Sequence, residues 1–468
     1  MALQHERPTV STTTPASGDI WDVAHRRLTL GLVLTVSSTA FESLAVATVL
    51  PATVAHIGGL ELYGWAFSAF MLTNMLSINL AGRLADQRGP AMPFVLGGTL
   101  FIAGLIVAGV APTMAVVVAG RAAQGLGAGA ISSVAYVTVA RAYPAATQPR
   151  MLAMLSSAWV VPGLIGPALA GTVADHFSWR WVFLGLAPLM AAATTLAVPA
   201  LRRLTPVVAA TPQVDRTRSA MQLAAGTGMV LFGTNERSIL LAPVLIAAGL
   251  ALGLPALRDL TPPGTLRARP GLPAAVATMG LLSFAFFGAE AFLPLALTSL
   301  RRQSTTTAGL ALTAATLTWT AGAWVQARLA PTHSRRRLAT LGLLLTLAGI
   351  AGTAATVLPS VPVLLAVVTW GVCGLGMGIA YSTTTLVVLE SAPSGQEGEA
   401  SAAIQLSNVF GVALGTGLGG AVLALLMAAG RSQTLAIALV DGVTVVAAAL
   451  SIVTARGLPH RHLGRSRS

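Results

Sequence analysis

Four ionisable side chains lie inside long apolar stretches of the sequence: Glu42, Arg121, Glu290 and Asp441. A charge at membrane depth costs about 2.5–3.5 kcal/mol on insertion scales, so it usually faces the interior of a helix bundle and serves an ion or substrate pathway. A carboxylate in such a place can take up and release a proton, with an arginine as its electrostatic partner. The sequence contains no nucleophile paired with a base and no cluster of metal ligands, so it predicts neither an enzyme nor a cofactor or metal site.

The composition is that of a membrane protein. Of 468 residues, 54% are apolar and 9% charged, whereas a soluble domain carries charge on about a quarter of its residues. All 28 basic residues are arginine, which rules out a lysine-dependent phosphate loop and therefore ATP as the direct energy source. The net charge of +13 does not indicate nucleic-acid binding, because the arginines lie between the apolar stretches and no groove-reading motif is present.

Fourteen apolar runs are candidates for helices that cross the bilayer, which takes about twenty residues. They cover 28–55, 62–81, 92–111, 114–140, 151–174, 181–200, 219–234, 238–257, 272–297, 308–327, 338–358, 361–389, 400–428 and 434–455. The predicted fold is therefore an all-α integral membrane protein. Run 219–234 is short and glycine-containing, so a re-entrant hairpin with 238–257, leaving twelve spans, is the alternative.

The runs are grouped as six, two and six, which gives the predicted domain organisation. It consists of a tail (1–27), a six-helix bundle (28–200), a basic connector with two extra helices (201–271), a second six-helix bundle (272–456) and a basic tail (457–468). Arginines concentrate in alternate loops and in both tails, so the positive-inside rule places both termini in the cytoplasm. The turn at 235–237 is then expected outside.

Three short motifs occur in order along the first predicted bundle. Residues 82–89 read Gly-Arg-Leu-Ala-Asp-Gln-Arg-Gly, in which glycines suit a tight turn and an acid lies between two arginines. The second motif begins at Arg121, and the third places a proline among glycines on the fifth helix, where it predicts a kink. The motif residues are Gly82, Asp86, Arg88, Gly89, Arg121, Gln124, Gly125, Gly163, Gly166, Pro167 and Gly171.

Together these motifs resemble the signature loop, the buried-arginine motif and the antiporter Gly-Pro motif of the major facilitator superfamily. The resemblance extends over roughly residues 28–456, and the extra central helices are similar to those of the fourteen-helix drug:proton antiporter branch. It implies two six-helix bundles that alternate access to a central site, with Asp86 as a conformational latch. It also implies an acid on the first helix, where Glu42 stands nine residues before Pro51.

Glu42 is the principal proton-coupling candidate, because it lies at a depth similar to that of Arg121 when each residue contributes about 1.5 Å. A static pair that merely locks two helices is the alternative. Glu290 is predicted to bind a second proton or a cationic substrate, or else to reach water at the outer edge. Asp441 is a further candidate, with packing as its alternative. Aromatic residues are predicted to line a substrate cavity: Phe41, Phe70, Tyr136, Trp159 and Phe287.

The predicted function is export of small apolar or cationic compounds across the bacterial cytoplasmic membrane, by a monomer coupled to protons. A proton-coupled importer of a polar nutrient is the alternative, and a membrane sensor without transport is a further one. The substrate and protons are the expected partners, together with the surrounding lipid bilayer.

Overall fold

The computed structural model describes residues 20–22, 25–144, 147–204, 217–236, 238, 240–393 and 396–459. Most of the two predicted tails (1–19 and 460–468) and the middle of the connector (205–216) lie outside the described residues. So does Arg237, in the turn that is expected on the outside.

All regular structure in the described ranges is helical. The α-helices are α1 (Arg26–Ile57), α2 (Tyr63–Arg88), α3 (Ala91–Gly109), α4 (Met114–Ala142), α5 (Gln148–Ser157), α6 (Val160–His176), α7 (Trp179–Leu184), α8 (Leu186–Leu201), α9 (Thr217–Asn235), α10 (Leu241–Leu260), α11 (Leu272–Leu295), α12 (Thr305–Leu329), α13 (Arg335–Ala355), α14 (Val363–Ser391), α15 (Glu397–Ala428) and α16 (Gln433–Thr454). Helix α11 continues as a π-helical turn, Ala296–Leu300.

These helices form fourteen segments of membrane-crossing length, because α5 with α6 and α7 with α8 each make one broken segment. Within the described part of the chain, eleven segments are both long and apolar enough to cross a membrane. The other three, α2, α9 and α12, are long enough but carry more polar side chains. The all-helical fold with fourteen helices is thus confirmed.

The central pair, α9 and α10, consists of complete helices of 19 and 20 residues rather than halves of a re-entrant hairpin. The two pack closely, since a Cβ placed on Gly226 would lie 2.6 Å from the carbonyl oxygen of Gly249. Helix α9 also contacts both halves of the protein, because Leu231 packs with Leu72 of α2 and Ala413 of α15.

The helices before and after the central pair repeat one packing arrangement. Residues 124–129 of α4 read Gln-Gly-Leu-Gly-Ala-Gly, and residues 373–378 of α14 read Cys-Gly-Leu-Gly-Met-Gly. A Cβ on Gly125 would collide with the carbonyl oxygen of Phe70 in α2, and one on Gly374 would collide with that of Ala315 in α12. Helix α4 therefore packs on α2 as α14 packs on α12, which aligns the two halves residue by residue.

The two halves are joined at one end of the bundle. The Tyr63 hydroxyl donates to the carbonyl oxygen of Ala291 at 2.8 Å. Ser68 lies 3.1 Å from the hydroxyl of Thr416. The Asp175 carboxylate accepts hydrogen bonds from the backbone nitrogens of Thr305 and Thr306, at the start of α12. Among the described residues, all hydrogen bonds between the halves lie at this end, which we call the closed end.

Candidate functional site

A buried ion pair between Glu42 of α1 and Arg121 of α4 lies inside the first half. The two side chains are 1% and 2% exposed. Arg121 also donates from Nη1 to Gln124 Oε1 at 2.6 Å and from Nε to the carbonyl oxygen of Ala66 at 3.0 Å. Its guanidinium carbon lies 4.3 Å from the centre of the Phe70 ring. The arginine is therefore held by groups from three helices.

Glycines next to the cluster allow α4 to lie close to its neighbours α2 and α3. Gly125, next to Gln124, lets α4 pack directly on the α2 backbone around Phe70. Gly120, next to Arg121, does the same toward α3, where a Cβ would lie 2.8 Å from the carbonyl oxygen of Gly104. The buried-arginine motif thus combines charged chemistry with the small residues that membrane helices need for close packing.

The cluster is not fully satisfied. Glu42 Oε2 and Gln124 Nε2 are buried and have no hydrogen-bond partner in the described part of the protein. A buried acceptor or donor without a partner is unfavourable, and more so when it belongs to a charged group. Protonation of Glu42 would remove the buried charge, whereas a movement that brings a donor to Oε2 would supply the missing hydrogen bond. Both the acid and the amide of the cluster therefore keep unused hydrogen-bonding capacity in this conformation.

The second half holds a different arrangement at the corresponding place. By the alignment of the glycines, Trp370 of α14 corresponds to Arg121 and Cys373 corresponds to Gln124. Glu290 of α11 is buried close to Cys373, and it has no hydrogen bond or ion pair with any described residue. A carboxylate is therefore present in both halves, but only the first half supplies it with a cation.

Aromatic rings surround this part of the second half. Phe286, one turn before Glu290, stacks on Trp370 with the ring centres 5.1 Å apart. It also meets Trp319 edge to face at 5.4 Å, and Trp319 in turn lies 5.7 Å from Tyr381. Ring faces attract cations, so the cluster and the carboxylate suit the same kind of ligand.

The other predicted site residues differ in their surroundings. Asp441 faces a small cavity between α11, α13 and α16, close to Thr353 and Thr356. Phe287 belongs to the aromatic cluster, whereas Phe70 is buried beneath Arg121 rather than lining a cavity. Tyr136 and Trp159 are 58% and 48% exposed.

The signature loop is mostly helical, because α2 continues to Arg88 and the chain turns at Gly89, whose φ of +83° favours glycine. Asp86 forms an ion pair with Arg141 at the end of α4, at 2.5 Å, and not with the arginines of its own loop. Gly82 lies inside the helix, opposite Ser133. The loop therefore fastens α2 to α4.

The second half also has an ion pair at this end of α14, but its partner lies on α13, the counterpart of α3 and not of α2. Glu390 of α14 aligns with Arg141 of α4, and it forms an ion pair with Arg335 of α13 at 2.8 Å. No arginine lies near Glu390 along the chain, because its partner Arg335 belongs to another helix. The repeated glycine pattern on α4 and α14 was the signal that could have revealed this pair and the role of Trp370.

The Gly-Pro motif brings α6 against α12. A Cβ on Gly171 would lie 2.6 Å from the carbonyl oxygen of Thr305, and one on Gly163 would collide with Thr316. Gly166 faces the Phe41 ring of α1 at an ordinary contact distance. Helix α6 continues through Pro167, and the interruption of this segment lies earlier, at Ala158 and Trp159.

The family is decided by the sequence match. The sequence model of the Major Facilitator Superfamily matches residues 30–416. The chain belongs to the major facilitator superfamily. This is a family of multi-span membrane transporters and not of enzymes.

Two relatives come from Mycobacterium tuberculosis. One, an uncharacterised transporter of the superfamily, is 30% identical over 323 residues. That match covers 65% of this chain and 46% of the relative, so the chain aligns with about half of that relative's length. The other, a probable multidrug-efflux transporter, is 26% identical over 433 residues, which cover 88% of this chain and 91% of the relative.

Solved structures support the same fold. The crystal structure of a bacterial homologue of the human lysosomal transporter Spinster, inward-facing and unoccupied, superposes with a TM-score of 0.68. The sequences are 13% identical, and the match covers 94% of this chain and 98% of that chain. At this identity the likeness concerns the fold alone.

Proposed function

We propose that this transporter is a proton-coupled antiporter that exports small apolar or cationic compounds by alternating access. The observation that carries the proposal is the buried Glu42–Arg121 pair, in which one carboxylate oxygen has no hydrogen-bond partner among the described residues. The relatives named as multidrug-efflux transporters support the export of drug-like compounds.

Glu42 is the proton carrier in this proposal. Arg121 keeps its charge and its contacts with Gln124, Ala66 and Phe70, so it acts as a fixed positive point. A proton bound by Glu42 neutralises the acid and weakens its attraction to the arginine, which frees α1 to move relative to α4. Loss of the proton restores the pair. Protonation thereby biases the two conformations differently, as coupling requires.

Glu290 is the counter-ion for a cationic substrate. It has no cation of its own among the described residues, and Phe286, one turn earlier on α11, is in ring contact with Trp319 and Trp370. In this proposal the first half binds the proton, and the second half binds the substrate. Asp441 lies outside both clusters, so its role is in packing.

The closed end faces the outside of the cytoplasmic membrane. Arginine concentrates in the loops at the opposite end, which places that end and both termini in the cytoplasm. The molecule is then closed outward, with 28–200 and 272–456 as the two moving bundles. Asp86 and Arg141 lie at the cytoplasmic end, where their ion pair fastens α2 to α4.

Transport of ethidium, a lipophilic cation, tests the proposal. Everted membrane vesicles energised by respiration should accumulate ethidium, and a protonophore should abolish the accumulation. Glu42→Gln should accumulate none, whereas Glu42→Asp should retain part of the activity because it keeps the carboxylate. Accumulation by right-side-out vesicles instead would indicate an importer. Uphill transport by Glu42→Gln would remove Glu42 from the coupling mechanism.

A further inference from the structure

A groove of about 500 Å³ separates α6 from α12 on one side of their contact. From Thr316 toward the closed end, the two helices touch through Gly163 and Gly171. Toward the opposite end they diverge, and the groove opens between them. Its lining includes Val160 and Leu164 of α6 and Leu317, Trp324 and Arg328 of α12. We call this feature the α6–α12 groove.

The groove faces the lipid and not the interior of the protein. Trp319, which contacts the aromatic cluster, lies on the inward side of α12. Leu317 and Ala321 are two residues away from it in either direction, which turns them by about 200° around the helix axis. Trp324 and Leu317 are 66% and 49% exposed, as expected for side chains that meet the hydrocarbon.

One charged side chain stands at the end of this apolar lining. Arg328 is exposed and has no hydrogen bond or ion pair with any residue that the structure describes. It lies in the last turn of α12, one turn beyond Trp324, where a long side chain reaches the headgroup layer and a tryptophan favours the interface. An apolar groove that ends in an unpaired arginine matches a lipid with an anionic headgroup.

The length of the groove fits one leaflet. Leu317 and Arg328 are separated by about 17 Å along the axis of α12, at 1.5 Å per residue. Half of a hydrocarbon core of about 30 Å is about 15 Å. We propose that the α6–α12 groove holds one acyl chain of an anionic phospholipid, with its headgroup bound by Arg328. The lipid occupies the leaflet on the arginine-rich side of the protein and wedges α6 and α12 apart.

Quenching of Trp324 fluorescence by brominated lipids tests the site. The protein is reconstituted in phosphatidylcholine vesicles that contain increasing amounts of acyl-brominated phosphatidylglycerol or, separately, brominated phosphatidylcholine. The Trp324 contribution is the difference between the wild type and Trp324→Phe. We expect brominated phosphatidylglycerol to half-quench this contribution at about a fivefold lower mole fraction than brominated phosphatidylcholine, the preference that one arginine near an anionic surface gives.

Arg328→Gln should remove the preference and leave quenching by brominated phosphatidylcholine unchanged. Arg258→Gln is the matched control, since Arg258 is an exposed arginine near the same end of α10. It should leave the fivefold preference intact. Equal quenching by the two lipids in the wild type, or loss of the preference in both variants, would overturn the proposal. The first result would mean ordinary solvation by bulk lipid, and the second a general attraction of anionic lipids to the basic surface.

Discussion

The two halves of the molecule share one backbone arrangement and differ in its chemistry. Gly125 and Gly374 make the same close helix contacts. The position one turn before each glycine, however, holds Arg121 in the first half and Trp370 in the second. Glu42 therefore has a resident cation, whereas Glu290 has aromatic neighbours and no cation among the described residues. Helix packing preserves the positions of the side chains, and the side chains themselves decide what each half can bind.

A second pair of corresponding positions also differs between the halves, here in the sign of the charge. Arg141 and Glu390 correspond in the alignment, and each forms an ion pair with a neighbouring helix of its own half. The sign of the charge is reversed between them. Each residue fastens its helix to a neighbour, but the neighbours differ: α4 is joined to α2, whereas α14 is joined to α13.

The largest effect is expected from making the first half resemble the second. Arg121→Met keeps most of the side-chain volume but removes the cation, which leaves Glu42 buried without a partner. Breaking a buried pair in this way costs about 3–5 kcal/mol. Thermal unfolding of the purified protein should show a large loss of stability and vesicles should show no uphill ethidium transport. Arg258→Met, at an exposed site, serves as the control.

Restored stability in Glu42→Gln/Arg121→Met would sharpen the comparison, because that variant removes both charges. If Arg121→Met alone were as stable as the wild type, the ion pair would not be what distinguishes the first half.

A smaller and equal effect is expected at the shared glycines. Gly125→Ala and Gly374→Ala each force a methyl group into the backbone of the neighbouring helix. Overpacking of this kind costs about 1–3 kcal/mol. Gly442→Ala is the matched control, because a Cβ there meets nothing within 4 Å. Chemical denaturation of the three variants would measure the costs. A loss at only one of the first two sites would contradict the repeated packing.

The smallest effect is expected at the ends of α4 and α14. Asp86 is 40% exposed and Arg141 is 19% exposed, and ion pairs of this kind contribute about 0–1 kcal/mol. Asp86→Asn should slow ethidium transport a few-fold while ethidium binding persists. The reversed pair Asp86→Arg/Arg141→Asp should recover most of the rate, since it restores an ion pair between α2 and α4 at the same two positions. Failure of the reversed pair to recover the rate would show that the sign matters at this position.

Part of the site could be predicted from the sequence. Counting residues from the ends of the apolar runs put Glu42 and Arg121 at the same depth, and the structure brings them together. The depth of a residue in the membrane follows from the rise per residue of the helix. The predicted match in depth therefore tolerates small errors in the helix ends. Composition and run length likewise determined the all-helical fold, because a membrane leaves few other ways to satisfy the backbone.

The rest depends on how helices rotate and approach, which a single sequence does not specify. Asp86 had two arginines in its own loop, yet it faces Arg141 from a different helix. The break at Ala158 and Trp159 had no signal of this kind in the sequence, and it lies before Pro167, where a kink is predicted. Gly166 was grouped with Gly163 and Gly171, but it faces α1, whereas the other two face α12.

Proton release on substrate binding tests the central claim most directly. Purified protein in weakly buffered detergent solution is mixed with tetraphenylphosphonium, and a pH indicator records the protons released. The account predicts release by the wild type, and no release by Glu42→Gln, although that variant still binds the cation because Glu290 is intact. Undiminished proton release by Glu42→Gln would contradict the assignment of the proton to Glu42.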